Sequence, residues 1–161
     1  MKFYDDDISG VEVRPLQYHE DDRGWLAEMF RADQPSKAGC PMPIMGYASL
    51  THPGITRGPH EHEHQTDWFC FFGPSRFKLV LWDNRPNSPT YRHRMELEVG
   101  EGPHATLVIV PQGVVHGYKN IGTVDGLVVN LTNQLFKGVN RKERADEIRH
   151  EADPNSPFRI D

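Results

Sequence analysis

The 161-residue chain has two cysteines, Cys40 and Cys70, too few to staple a small scaffold, so its fold has to rest on a packed core. It has no uninterrupted apolar run of about 18 residues or more, which excludes a helical membrane span. A basic excess is also missing: 18 Lys and Arg stand against 23 Asp and Glu, a net charge of -5 with no long block of either sign. That balance argues against a general nucleic-acid binder and leaves room for a local basic pocket that takes a phosphorylated small molecule. The acidic start Met1-Lys2-Phe3-Tyr4-Asp5 carries no apolar signal core, and with two free thiols the expected location is the cytoplasm.

What the chain has is punctuation. Its 14 glycines and 13 prolines cut it into short apolar pieces, the pattern of strands joined by tight turns. In Tyr91 to Val99 the residues Tyr91, His93, Met95, Leu97 and Val99 share one face and charged residues take the other, as in a strand buried on one side. Similar runs occur at Val11 to Val13, Trp25 to Phe30, Ile44 to Leu50, Asp67 to Phe72, Phe77 to Trp82, Thr106 to Val110 and Gly126 to Leu131. Their near-regular spacing predicts an all-β sandwich or barrel. One short C-terminal helix is expected over Asn140 to His150, where Asn140 can cap and most residues favour helix, although Ala145 and Ile148 are its only apolar members. No repeat or linker divides the chain, so residues 1–161 are expected to form a single domain.

Two segments concentrate chemistry-bearing residues. In Gly54-Ile55-Thr56-Arg57-Gly58-Pro59-His60-Glu61-His62-Glu63-His64-Gln65-Thr66-Asp67, strand geometry puts His60, His62 and His64 on one face and Glu61 and Glu63 on the other. In Val108-Ile109-Val110-Pro111-Gln112-Gly113-Val114-Val115-His116-Gly117-Tyr118-Lys119-Asn120 an apolar strand turns at Pro-Gln-Gly and a histidine enters the next strand. A barrel can bring His116 against the first row, as neighbouring imidazoles on one face can share a metal ion. His64 is expected to face solvent or sit at the rim, and His19, His52, His93, His104 and His150 have no spacing that singles them out.

Together the segments resemble the two signatures of the cupin superfamily, which implies a double-stranded β-helix, a jelly-roll barrel. The residues Pro111-x-Gly113-x-x-His116-x-x-x-Asn120 carry the second signature; Gly54, His60-x-His62 and Asp67 carry the first. Within cupins the chain is similar to the dTDP-4-dehydrorhamnose 3,5-epimerase family. Asp22-Arg23-Gly24-Trp25, Gly54-x-x-Arg57-Gly58-x-His60, Asp83-Asn84-Arg85 with Ser88-Pro89-Thr90-Tyr91, and Pro111-x-Gly113-x-x-His116-Gly117 follow that family in order over roughly residues 10 to 135.

The resemblance implies an isomerase that inverts carbons beside the ketone of a nucleotide-linked 4-keto-6-deoxy sugar, in deoxysugar and polysaccharide synthesis, with no cofactor and as a homodimer. Such chemistry needs a base, a proton donor on the opposite face of the ring, and a positive group at the ketone oxygen. By resemblance His60 is the base, and Arg23, Arg57, His116 and Asn120 contact the nucleotide-sugar substrate. Asp83 shares strand parity with Phe77, Leu79 and Leu81 and is expected to point inward and orient His60 or His116. The family's tyrosine acid would fall in Leu131-Thr132-Asn133-Gln134-Leu135-Phe136, which has no tyrosine, so Tyr118 or water is expected to substitute. Where the family has a lysine near the ketone, this chain has Asp67. Two alternatives stay open. One is a divalent-metal cupin, with His60, His62, Asp67 and His116 as ligands of Fe, Mn, Ni or Zn in an isomerase or dioxygenase on a small polar substrate. The other is a non-catalytic sugar-binding cupin.

Overall fold

The computed structural model describes residues 1–161. Thirteen strands follow in chain order: β1 (Tyr4–Asp5), β2 (Glu12–Pro15), β3 (Tyr18–Asp21), β4 (Gly24–Ala27), β5 (Met45–Thr51), β6 (Thr56–Glu61), β7 (Asp67–Phe71), β8 (Arg76–Asp83), β9 (His93–Gly100), β10 (Thr106–Val110), β11 (Val114–Asn120), β12 (Gly126–Thr132) and β13 (Ile148–Arg149). They form a six-stranded sheet of order β1-β9-β8-β11-β6-β13, a five-stranded sheet of order β2-β10-β7-β12-β5, and the hairpin β3-β4. This is the all-β arrangement the strand spacing predicts, in the jelly-roll form the cupin resemblance implies, built as two sheets whose ladders do not close into a barrel. The two sheets end at β13, next to β6, and at β5, and a cavity lies along that side.

Alternation explains the packing between the sheets. Phe77, Leu79 and Leu81 of β8, with Val99, Val114 and Tyr118, meet Phe69, Phe71, Val108, Val110 and Val128 of the other sheet in one buried cluster. The continuous apolar run of β7 does not alternate because both of its faces are covered. Phe69 and Phe71 point between the sheets, while Trp68 and Cys70 pack outward with Leu16, Leu107 and Ile109 under the segment carrying Met29, Cys40 and Met42. The outer face of β8 is likewise sealed, with Val80, Trp82 and Val115 against Phe158. Both cysteines are free thiols.

The helix expected over Asn140 to His150 does not form. In its place are a single 3-10 turn at Val139–Arg141, strand β13, and a second 3-10 turn at His150–Ala152. With only Ala145 and Ile148 to bury, a helix here would have no apolar stripe, and local preference yields to tertiary bonds. The Asp146 carboxylate accepts from the backbone N–H groups of Glu63, His64 and Gln65. Ile148 and Arg149 pair with Glu61 and His60 on the open edge of β6.

A bulge in β6 sets up the site. His116 of β11 lies opposite His60 and Tyr118 lies opposite Arg57, so three steps on β6 match two on β11. A regular strand would send Arg57 and His60 to opposite faces; the extra residue turns both toward the cavity, which each lines. Gly58 makes this possible, with φ of +80° and an added Cβ that would sit 2.8 Å from the His116 carbonyl oxygen and 3.1 Å from His60 Nδ1. Gly58→Ala is therefore expected to lose about 2–5 kcal/mol of stability from left-handed strain and overpacking. Urea unfolding measures it, and a loss under about 1 kcal/mol would show that the bulge tolerates a side chain.

Candidate functional site

The bulge, the β6–β11 pairing and the turn after β6 bring three histidines together. Ring centroids are 4.6 Å apart for His60 and His116, 5.4 Å for His60 and His62, and 5.7 Å for His62 and His116. Beneath them lies Asp67, 1% exposed at the start of β7 in the opposite sheet. Its Oδ1 accepts from Gln65 Nε2 at 2.8 Å and from Asn130 Nδ2 at 2.7 Å. Its Oδ2 stands 3.2 Å from His62 Nε2 and 3.3 Å from His116 Nε2.

Hydrogen bonds assign different roles to the three rings. His116 donates from Nδ1 to the Val114 carbonyl at 2.9 Å, and His62 Nδ1 bonds the Asp146 carbonyl. His116 is thus a neutral imidazole whose unprotonated Nε2 faces the carboxylate, and burial holds its pKa below the usual histidine value. For His62, burial opposes protonation but is outweighed by the Asp67 carboxylate beside it, which moves the pKa up. Asp67 moves the other way: burial penalises its charge, yet His62 holds it well below the usual carboxylate range. His60 alone has no hydrogen bond to fix its ring, and burial plus its two histidine neighbours push its pKa down to about 2. It is a neutral base with a free lone pair at the wall of the cavity.

These shifts predict a pH-sensitive fold. His60 and His116 stay neutral when folded but take up protons in the unfolded chain below about pH 6.5, so their contribution to stability falls as pH falls. His62 works oppositely, stabilising fully below its unfolded value and losing that contribution as pH rises through its raised folded value, so it adds no slope below pH 6.5. Asp67 enters only near and below its unfolded value of about 3.9. From pH 6.5 to 5, chelator-treated protein is expected to lose about 2 kcal/mol through His60, with His116 acting in the same direction. Urea unfolding at both values checks this, and His60→Asn is expected to remove the His60 share of the loss.

The cavity has a volume of about 970 Å³. The six-stranded sheet contributes Arg57, His60 and Tyr118, the five-stranded sheet Tyr47 and Asn130, and the irregular segment after β12 contributes cations that include Arg141 and Arg144. Arg57 donates from Nε to Thr51 Oγ1 at 2.9 Å and from Nη2 to the Leu50 carbonyl at 2.8 Å, which fixes the guanidinium at the wall. A neutral base and fixed cations in one cleft suit proton removal from an anionic substrate.

The structure relocates several expected residues. Asp83 is buried, but its carboxylate binds Arg85 Nε at 2.8 Å, Ser88 Oγ at 2.6 Å and Thr90 Oγ1 at 2.6 Å; it touches no histidine. Being opposite Val114 in the β8–β11 ladder, two residues past His116's partner Leu81, it organises the loop after β8. Asn120 is structural: its amide donates to the Thr51 and Val124 carbonyls and its Oδ1 accepts from Ser75 Oγ and the Gly122 N–H. Arg23 sits on the β3-β4 hairpin, 90% exposed and paired with Asp21, and does not line its own chain's cavity. Tyr118 lines the cavity but is 5% exposed, with its hydroxyl 2.8 Å from Ser49 Oγ. His116, at 2% exposure, faces Asp67 and is not a cavity-lining residue.

Asp67, which the cupin resemblance offered as a metal ligand in the alternative reading, lies beneath the histidine cluster and faces two of its rings. Tyr47, Asn130 and Asp146 were not singled out by the sequence. Gln65-x-Asp67 offered a local signal, two polar residues two apart entering an apolar strand. Tyr47 and Asn130 meet only through the β5–β12 register, which no local spacing reveals. His150, taken as filler, bonds Glu61 Oε1 at 2.8 Å on the far face of β6.

A divalent cation fits the donor set. His60, His62 and His116 each offer a nitrogen within 4.8 Å of the others, and Asp67 Oδ2 and His116 Nε2 are buried without a hydrogen-bond partner.

Residues 5–145 match the sequence model of the family described as dTDP-4-dehydrorhamnose 3,5-epimerase. A probable low-salt glycan biosynthesis epimerase of Haloferax volcanii is 39% identical over 80% of this chain and 81% of its own length. A spore coat polysaccharide biosynthesis protein of Bacillus subtilis is 33% identical over 80% of this chain and 82% of its own. Among solved structures, a dTDP sugar isomerase from Desulfovibrio desulfuricans superposes with a TM-score of 0.82 at 22% identity, covering 94% of this chain and 91% of that one, a likeness that concerns the fold.

Proposed function

The chain belongs to the dTDP-4-dehydrorhamnose 3,5-epimerase family, and from that premise we propose that it removes a proton beside the ketone of a nucleotide-linked 4-keto-6-deoxyhexose and returns it to the opposite face. One observation carries the reading: His60 is a neutral imidazole, free of hydrogen bonds, in a cleft that also holds Arg57. His60 takes the proton, the electron pair moves to the ketone oxygen, and the cations of the cleft, Arg57 among them, favour that negative charge and the substrate's phosphates. Burial, with His116 and His62 behind it, keeps His60 neutral. The product belongs to the synthesis of a glycan or polysaccharide, the setting named for the Haloferax and Bacillus relatives. A homodimer is the proposed assembly, supported by exposed Trp25, Leu26 and Phe30 on and after the β3-β4 hairpin. A cytoplasmic site is proposed on the two free thiols; no helix is long and apolar enough to cross a membrane. The test is to incubate dTDP-4-keto-6-deoxyglucose with the protein, reduce with borohydride and identify the 6-deoxyhexoses. A sugar inverted at C3, C5 or both is expected; only the hexoses of the unreacted substrate would contradict the reading.

A second reading is favoured by the unpartnered Asp67 Oδ2 and His116 Nε2. A divalent ion held by His60, His62, His116 and Asp67 would polarise the ketone oxygen. Elemental analysis of untagged protein decides: about one equivalent of metal, with a melting temperature lowered by chelator, supports it, and trace metal with an unchanged melting temperature opposes it.

A further inference from the structure

Inversion needs a donor facing the base from across the sugar ring, and the sequence has no tyrosine in the stretch where the family places one. Two phenols, Tyr118 and Tyr47, line the cavity. They differ in the sheet that carries them. Tyr118 is on β11, the hydrogen-bonded neighbour of His60's strand β6, so base and phenol rise from one sheet. Tyr47 is on β5 of the opposite sheet, with the cavity between it and His60.

The hydrogen bonds around Tyr47 assign its proton. Asn130 Nδ2 lies 2.7 Å from Asp67 Oδ1 and 2.9 Å from the Tyr47 hydroxyl. An ionised carboxylate only accepts, so the Asn130 side chain must turn its NH₂ toward Asp67. The other hydrogen of that NH₂ then goes to Tyr47, whose oxygen is the acceptor. The Tyr47 O–H proton is left without a protein acceptor, on a side chain 47% exposed at the cavity wall. The phenol is also held protonated: the packing around its hydroxyl, with the Asp67 charge, pushes its pKa up. Tyr118 is set apart by its sheet and its 5% exposure, with its hydroxyl paired to Ser49 Oγ at 2.8 Å, where either group can donate.

We propose that Tyr47 is the proton donor for inversion, acting on the face of the sugar opposite His60. The inference rests on the proton-transfer reading of the cavity. The C–H bond breaks to His60, leaving an enolate; the Tyr47 O–H bond breaks as a new C–H bond forms on the other face and the carbonyl is restored. The imidazolium and phenolate so formed are reset by exchange with solvent, with no net change in protons. Asn130 is a positioning residue: its N–H supports the phenolate.

The test uses the full chain in D₂O with dTDP-4-keto-6-deoxyglucose, following deuterium entry and inversion separately by NMR. Wild type is expected to do both and His60→Asn neither. Tyr47→Phe is expected to invert at least 100-fold more slowly while deuterium still enters with retention, because protonated His60 returns a solvent-derived deuteron to the same face. A melting temperature near wild type confirms that the variant folds. The proposal is overturned if Tyr47→Phe inverts normally, if it loses exchange together with inversion, or if Tyr118→Phe alone loses inversion while keeping exchange. Absence of exchange by wild type, or equal exchange by wild type and His60→Asn, instead removes the proton-transfer reading and this assignment with it.

Discussion

Replacing His60 with Asn is expected to lower deuterium entry beside the ketone by about 10²–10⁴-fold while leaving the fold at least as stable near neutral pH. Asn matches the imidazole closely in size but cannot take a proton, and His60 has no hydrogen bond in the chain whose loss would unfold it. The other two histidines cannot stand in. His62 is held at Nδ1 by the Asp146 carbonyl and faces Asp67 through Nε2, and His116 is buried behind the wall. If His60→Asn keeps wild-type exchange with a wild-type melting temperature, the base lies elsewhere.

Asp67→Ala is expected to destabilise by about 3–5 kcal/mol, lowering the melting temperature by roughly 6–20 °C. The carboxylate is a buried charge that faces two imidazoles and accepts from two side-chain amides. Removing it leaves the Gln65 and Asn130 donors unpaired and strips His62 of the partner that raises its pKa. Asp67→Asn keeps the shape and is expected to lose less stability, yet the His62 pKa falls in both variants, which histidine NMR titration reads directly. A melting temperature within about 2 °C of wild type for Asp67→Ala would show that the cluster is not held through this residue.

The strands were legible because their evidence is local. Phe77, Leu79 and Leu81 alternate with residues of the other face, and Thr106–Val110 is found with the expected bounds. The pairing of His60 with His116 was legible because each sits in a segment with recognisable spacing on a strand facing one interior. What failed depended on contacts distant in sequence. The segment Asn140 to His150 has helix-forming residues, but its fate is set by Asp146 capping the turn after β6 and by the free edge of that strand, over 80 residues away. Asp83 has inward parity as expected, yet parity gives the face and not the position along the strand, and the loop residues Arg85, Ser88 and Thr90 capture it. Arg57 and His60 share the cavity only because Gly58 permits a bulge, which a strict alternation of faces would deny.

Proton abstraction beside a sugar ketone needs no metal in this cavity if His60 is the base. NMR of dTDP-4-keto-6-deoxyglucose in D₂O with chelator-treated protein, reading C3 and C5 separately, measures it. Deuterium is expected at one or both carbons, at a rate unchanged when divalent metal is restored. No deuterium at either carbon from folded protein, or deuterium only when metal is returned, would contradict it.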